Sequence, residues 1–149
     1  MPKKATFHIA DPSMLGSRLF DRIEGIESYE GISDGSTATG LRFGLQWGSV
    51  TMNFMAADKI ADHLNGLSGW VQQTMKGSDA LVYTLARVHH VRMVIGCVIE
   101  HDDSATDDAF SFLLHFNIAL NGLLFVCDSL LDFTGDALAG PMVAEMNSQ

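Results

Sequence analysis

The sequence predicts a single α+β domain that spans residues 1–149. A length of 149 residues suits one domain better than two. Hydrophobic residues make up 47% of the chain and charged residues 18%, which is enough apolar material for a folded core. Apolar residues recur with period two in some segments and with helical spacing in others. Helices packed on one face of a mainly antiparallel sheet are the most economical arrangement of such segments.

The predicted elements follow from these two periodicities and from the Gly, Pro, Asp and Ser residues between them. They are a strand at 6–10, a helix from Asp11 to Gly25, a loop at 27–40, strands at 41–47 and 50–55 joined as a hairpin by Gly48-Ser49, helices at 58–76 and 79–89, a central strand at 93–99, a helix at 106–121, a buried strand at 123–127 and a hairpin-like piece at 129–139. A frayed hairpin is the alternative for residues 27–40.

The resulting order is β-α-β-β-α-α-β-α-β-β. Its first part matches a split β-α-β-β-α-β layout, the ferredoxin-like arrangement, and an appended α-β-β unit follows. Gly66 and Gly69 lie inside a predicted helix, where they indicate a kink, a break or a close packing contact. The tail from about residue 141 to 149 is expected to be disordered.

Three segments of the second half carry a resemblance to other proteins. They are Val94-Ile95-Gly96-Cys97-Val98-Ile99-Glu100, Ala119-Leu120-Asn121-Gly122-Leu123-Leu124-Phe125-Val126 and Leu130-Leu131-Asp132. With these segments, the last 60 or so residues resemble bacterial proteins of unknown function. The matching residues are mostly of the core-forming type, so the resemblance implies no activity.

The charge distribution disfavours several classes of partner. The net charge is −9, and residues 61–149 carry three basic and eleven acidic residues. Nucleic acids and anionic membranes are bound by clustered Lys and Arg, and the sequence has no such cluster. No apolar run reaches the roughly 18 residues that a membrane-spanning helix needs. We therefore expect neither a nucleic-acid partner nor a membrane partner.

The cysteines and the N-terminus predict a cytoplasmic protein. Residues 1–9 contain no apolar stretch of the kind that a secretory signal requires. Cys97 and Cys127 each lie in an apolar, strand-like run, which is typical of buried free thiols in a reducing compartment. A disulfide between them would require the two strands to be neighbours.

The most concentrated polar cluster lies at residues 100–108, between a predicted strand and a predicted helix. Histidine and carboxylate side chains together bind divalent ions, so His101, Asp102 and Asp103 are the candidate metal ligands. The alternative is structural, because acidic residues at the start of a helix stabilise its unpaired amides.

The other histidines have weaker patterns. His89 and His90 are adjacent on a helix and point about 100° apart, so we expect one to face the core and the other the solvent. His63 approaches one of them if the two predicted helices pack antiparallel. His115 is flanked by apolar residues and is expected to be a hydrogen-bonded core residue.

Two tryptophans raise the question of an apolar binding pocket. The residues concerned are Trp47, Trp70, Phe43, Phe54, Met52, Met55 and Met75. They could line a pocket for a small apolar ligand. Their ordinary helical and strand periodicity favours the alternative, a core between the hairpin and the following helix.

No standard catalytic or nucleotide-binding motif occurs in the sequence, and no cofactor or catalytic residue is predicted. We expect a non-enzymatic binding or adaptor protein that acts through an apolar surface on a protein partner and forms a homodimer. The alternative is a metal-dependent or acid–base enzyme with its site at residues 100–108. The sequence alone does not decide between an enzyme and a binding protein.

Overall fold

The computed structural model describes residues 3–143, which form one eight-stranded antiparallel sheet flanked by helices. The strands are β1 (Lys4–Ile9), β2 (Ile26–Asp34), β3 (Thr37–Leu45), β4 (Gly48–Phe54), β5 (Met93–His101), β6 (Leu123–Val126), β7 (Ser129–Leu131) and β8 (Ala137–Ala139). The α-helices are α1 (Ser17–Asp21), α2 (Ala57–Thr74), α3 (Leu81–His89) and α4 (Thr106–Leu120), and short 3-10 helices occur at Pro12–Met14 and Asp103–Ala105.

The strand order across the sheet is β2-β3-β4-β5-β1-β6-β7-β8. The α+β class and the antiparallel sheet are therefore confirmed, whereas the ferredoxin-like split layout is not. The N-terminal strand β1 lies between β5 and β6, so it joins the two halves of the sheet. Within residues 3–143, no helix is long and apolar enough to cross a membrane.

Helices cover both faces of the sheet, so the expectation of helices on one face is wrong. Neighbouring residues of a strand point to opposite faces. On β1, Phe7 packs against Phe116 of α4 on the first face, and His8 contacts His63 of α2 on the second. Strand β6 is apolar at every position because it is covered on both sides.

The main core lies between the first face and helices α1 and α4. Its centre is a group of aromatic rings, which are Phe7, Phe20, Phe43, Phe112 and Phe116. A second, smaller core lies between the other face and helices α2 and α3, where Val71 and Val88 pack with Leu123 and Leu130. The second face is already open at the later part of β5, where Val98 is 43% exposed. Strand β5 is thus central in the sheet but is covered on both faces only in part.

The segment predicted as a loop at residues 27–40 is the β2–β3 hairpin, the alternative interpretation. Gly35 and Ser36 form its two-residue turn, and the φ of +64° at Gly35 suits the first position of a type II′ turn. The next turn lies at Gln46–Trp47 rather than at Gly48-Ser49. Gly48 is instead the first residue of β4, where an added β-carbon would collide with the backbone carbonyl of Glu100.

Three smaller predictions concern the cysteines, the glycines of α2 and the tail. Cys97 is buried, but Cys127 is exposed in the β6–β7 turn, where φ is +52°. Strand β1 separates the two cysteines, and both are free. Helix α2 runs through Gly66 and Gly69 without a break, and no atom lies within 4 Å of a β-carbon added at either position. Residues 141–143 are helical, and residues 144–149 of the expected disordered tail lie outside the described residues.

Candidate functional site

A cleft lies on the second face of the sheet, between helix α2 and strands β1 and β6. Its volume is about 370 Å³. We call it the His8–His63 cleft, and it is lined by Thr6, His8, Asp62, His63, Gly66, Leu67, Trp70 and Phe125. The alternation of β1 places Thr6 and His8 on the same face, and the helical spacing of α2 places His63, Gly66, Leu67 and Trp70 towards them. The site therefore joins residues that are far apart in the sequence.

The two histidines are joined end to end by a hydrogen bond. The Nε2 atoms of His8 and His63 lie 3.0 Å apart, the ring centroids are 5.2 Å apart, and the ring planes differ by only 14°. At this Nε2 separation, that centroid distance fits two nearly coplanar rings that meet at their edges, and does not fit face-to-face stacking. The two Nε2 atoms thus satisfy each other's hydrogen bonding at the polar end of the cleft.

The neighbouring carbonyl determines the direction of this hydrogen bond. Nδ1 of His8 lies 3.1 Å from the backbone oxygen of Leu123, which can only accept, so Nδ1 carries the proton. Neutral His8 then has a lone pair on Nε2, and the Nε2–H of His63 donates to it. The hydrogen bonds therefore run from His63 through His8 to Leu123, and they require His8 to be uncharged.

Burial keeps His8 uncharged. Only 2% of its surface is exposed. Desolvation is the main cause that lowers the pKa of His8 to about 4; the Leu123 carbonyl raises this pKa, and the nearby charge of protonated His63 lowers it further. Desolvation also lowers the pKa of His63, which is half-buried at the cleft wall. At neutral pH the polar end of the cleft is a pair of neutral rings.

The opposite wall of the cleft is apolar. The ring of Trp70 meets the ring of Phe125 edge to face, with 5.2 Å between centroids and 79° between planes. Buried Leu67 continues this wall into the second core. Gly66 lies between His63 and Trp70 on α2 and contributes no side chain, so the cleft stays open beside it. A flat apolar molecule would contact rings on one side and imidazole edges on the other.

The predicted metal ligands lie elsewhere, at the far end of β5. His101 ends the strand, and its Nδ1 lies 2.7 Å from the backbone oxygen of Asp102. The side chains of Asp102 and Asp103 are exposed. Within residues 3–143, no three His, Cys, Asp or Glu side chains are grouped so that they could share one ion. Metal binding by His101, Asp102 and Asp103 therefore stays a prediction from sequence.

Part of the acidic segment borders a second depression, which is polar and lies near Trp47. Glu100, His101 and Asp102 border an open depression of about 560 Å³ together with Gln46 and Trp47. The ring of His101 meets that of Trp47 edge to face at 6.3 Å. Nε2 of His101 is shielded from solvent and has no hydrogen-bond partner among the described residues. Three residues of the predicted cluster, Glu100, His101 and Asp102, thus lie along one open, polar depression.

The remaining histidines do not join either region in the predicted way. His89 and His90 are both exposed, so the expectation that one of them faces the core is wrong. His115 is exposed as well and is not a core residue. His63 contacts His8 rather than either histidine of α3. His8 was missed by the sequence analysis, because one histidine within an apolar strand has no local pattern that marks it.

The two tryptophans lie on opposite faces of the sheet, so they do not line one pocket. Trp47 packs against Phe112 on the first face, and Trp70 packs against Phe125 on the second. The alternative, a core between the hairpin and α2, is also wrong in part. Met52 belongs to the first core and Met75 to the second. Of the predicted group, Trp70 lines the His8–His63 cleft, and Trp47 borders the polar region near His101.

A buried polar network was also missed. The side chain of Asp132, 6% exposed, accepts hydrogen bonds from the hydroxyl of Tyr83 at 2.6 Å and from the backbone N–H of Phe133 at 2.9 Å. Arg87 lies 3.7 Å from the same carboxylate and covers the Phe133 ring. These contacts hold α3 to the β7–β8 connection, which gives the network a structural role.

No protein-family model matches this chain, and no characterised protein or solved structure is significantly similar to it. The resemblance of the C-terminal segments to bacterial proteins of unknown function stays a prediction. Any function must therefore be argued from the residues themselves.

Proposed function

We propose that this is a non-enzymatic binding protein that takes up a small, uncharged and largely apolar molecule in the His8–His63 cleft. The observation that carries the proposal is a cleft of about 370 Å³ with an aromatic wall on one side and two neutral, mutually hydrogen-bonded histidines on the other. Small-molecule sites typically combine such an apolar lining with a few positioned polar groups.

The chemistry of the cleft favours binding over catalysis. A general base works best when its pKa is near the working pH, and the pKa of His8, about 4, makes it a weak base. The lining residues include no cysteine or serine nucleophile and one carboxylate, that of the exposed residue Asp62. These residues suit the holding of a ligand better than its conversion.

Gly66 adds to the room inside the cleft. A glycine inside a helix costs about 1 kcal/mol of stability relative to alanine. In α2 no close packing contact requires the glycine, because no atom beyond its own helical turn lies within 4 Å of an added β-carbon. The space beside Gly66 is the cleft itself, so the missing side chain leaves room for a ligand.

The adaptor and homodimer predictions stay open beside this proposal. Within residues 3–143, the large hydrophobic residues that are exposed are Tyr29, Val82, Tyr83, Val98 and Ile118. They lie on β2, α3, β5 and α4, on different sides of the molecule. These residues therefore form no continuous apolar patch, whereas the apolar residues of the cleft are contiguous.

The enzyme alternative retains one supporting observation. Glu100, His101 and Asp102 border the same depression, and Nε2 of His101 has no hydrogen-bond partner among the described residues. That arrangement is compatible with acid–base chemistry on a polar substrate. We rank it second because the depression is wide and its carboxylates are exposed.

The proposal predicts that the uncharged fluorophore N-phenyl-1-naphthylamine binds in the cleft. Its fluorescence should rise saturably with the protein, at one molecule per chain. Gly66→Leu should weaken binding at least tenfold, because the new side chain projects into the cleft. The measurement is a fluorescence titration in the presence of a metal chelator.

Gly69→Leu is the matched control. Gly69 lies three residues further along the same helix, is also exposed, and does not line the cleft. Both substitutions replace a helical glycine with a good helix former, so both variants should fold at least as well as the wild type. Equal binding by the two variants, or no saturable binding of this fluorophore and of indole by the wild type, would contradict the proposal.

A further inference from the structure

We propose that the ligand of the His8–His63 cleft is an uncharged aromatic molecule with a hydroxyl group, and that this hydroxyl donates a hydrogen bond to Nδ1 of His63. The inference rests on the proposed function and names the class of molecule that the cleft selects. Three features of the cleft support it, which are the direction of its hydrogen bonds, its aromatic wall and the donors in its lining.

The hydrogen bonds of the histidine pair determine the tautomer of His63. Nδ1 of His8 donates to the Leu123 carbonyl at 3.1 Å, so Nε2 of His8 is left as an acceptor. Nε2 of His63, 3.0 Å away, therefore supplies the proton of the bond between the rings. Desolvation lowers the pKa of His63, so this ring is neutral at pH 7.5 and carries a single N–H. Nδ1 of His63 is then a lone pair that can only accept.

Nδ1 of His63 is open to a ligand. The two Nε2 atoms lie on the line between the ring centroids, which are 5.2 Å apart, so Nδ1 is on the far side of the ring from His8. Among the described residues, the unpaired side-chain atoms that are shielded from solvent belong to Arg87, His101 and Asn117. Nδ1 of His63 is not one of them and is in contact with solvent. Both nitrogens of His8 are already engaged, so His63 provides the imidazole acceptor of the cleft.

A hydroxyl on this acceptor would extend an existing chain of hydrogen bonds. The chain would run from the ligand through His63 and His8 to the Leu123 carbonyl, with every bond pointing the same way. Hydrogen bonds in such a chain polarise and strengthen one another where the surroundings are poorly solvated. An ether in the same position has no proton to donate and would leave the Nδ1 lone pair without a partner, which weakens binding.

The rest of the lining favours an aromatic hydroxyl over other donors. Trp70 and Phe125 meet edge to face and form a wall that suits a flat ring. The hydroxyl of Thr6 and the indole N–H of Trp70 can donate to a ligand. A hydroxyl oxygen can accept from them while its proton goes to His63, whereas an aromatic N–H group only donates. The exposed carboxylate of Asp62 at the rim disfavours an anion by like-charge repulsion.

The ligand test compares 1-naphthol with its methyl ether, 1-methoxynaphthalene, by isothermal titration calorimetry at pH 7.5. We expect one molecule of 1-naphthol per chain, bound at least about fivefold more tightly than the ether, as the loss of one hydrogen bond to an acceptor typically costs. His63→Phe keeps a ring at this position but has no acceptor, so its preference for the hydroxyl should disappear. His115→Phe replaces an exposed histidine outside the cleft and should keep the wild-type ratio.

A second measurement needs no ligand and no variant that has to fold. Nitrogen NMR of isotope-labelled histidine side chains distinguishes a protonated from an unprotonated ring nitrogen. In ligand-free wild-type protein at pH 7.5, we expect His63 to carry its proton on Nε2 and His8 on Nδ1. A proton on Nδ1 of His63 would overturn the inference.

The outcomes separate this inference from the proposed function. Equal binding of the two naphthalene compounds by the wild type, or an unchanged preference in a folded His63→Phe variant, would overturn the inference and leave the proposed function standing. Binding of neither compound would overturn the inference as well, and the fluorophore titration of the wild type and Gly66→Leu then decides the proposed function separately.

Discussion

Phe116→Ala is expected to lower the free energy of unfolding by about 4 kcal/mol, as truncation of a fully buried aromatic ring typically does. No part of Phe116 is exposed, and its ring lies between 5.4 and 6.1 Å from those of Phe7, Phe20, Phe43 and Phe112. The substitution leaves a cavity where β1, β3, α1 and α4 meet. Urea denaturation monitored by circular dichroism measures the change.

Ile118→Ala is the matched control on the same helix. Ile118 is 47% exposed, so its truncation removes little buried surface. Alanine is also the better helix former, and we expect a change of less than about 1 kcal/mol. A loss below 1.5 kcal/mol for Phe116→Ala, on the scale of an ordinary surface change, would mean that the aromatic group does not hold α4 to the sheet.

The elements with strong periodicity could be predicted from the sequence. Helices α2 and α4 and strand β5 lie within a few residues of their predicted positions. Each buries a face, and burial is what produces an apolar period. Strand β2 could not be predicted in the same way, because it is an edge strand and most of its side chains are exposed. An exposed strand needs no alternation, so its sequence has the composition of a loop.

The distribution of helices over the two faces of the sheet could not be predicted from local sequence patterns either. Local patterns show that a residue is buried but do not show which layer buries it. In β6, Leu123 packs towards α2 and α3, and the next residue, Leu124, belongs to the core beneath α4. Both are leucines in one apolar run. Only the long-range pairing of β1 with β5 and β6 determines how much of each face remains for a helix.

The candidate site could not be predicted from the sequence, because only long-range packing brings its residues together. His8 and His63 are 55 residues apart, and neither has a polar neighbour at a spacing that indicates a site. The acidic segment at residues 100–108 was conspicuous because its polar residues are adjacent. Adjacent polar residues after a strand are mostly solvated, as the exposure of Asp102 and Asp103 shows. A buried pair of polar residues from separate elements carries more information, and only the fold reveals it.

The pH dependence of stability should report on His8 in metal-free protein. Its pKa is about 4 in the folded chain, against an ordinary value of 6.5 in the unfolded chain. Between these values the unfolded state binds the proton and the folded state does not, so stability rises with pH. Above pH 6.5 His8 is neutral in both states and does not reduce stability, and as the pH falls from 6.5 towards 4 the free energy of unfolding decreases. The difference between the two pKa values corresponds to a total loss of about 3 kcal/mol. Urea denaturation at pH 7.5 and at pH 4.5, with a chelator present, measures it.

A variant comparison separates His8 from the carboxylates, which also begin to titrate in this range. His8→Asn keeps a donor for the Leu123 carbonyl but has no group that protonates, so its stability should fall much less between the two pH values. His115→Asn, which replaces an exposed histidine, should show the full wild-type loss. Similar pH profiles for the wild type and His8→Asn would mean that His8 accepts its proton without cost. In that case the neutral, hydrogen-bonded pair that closes the polar end of the cleft would not describe the folded protein.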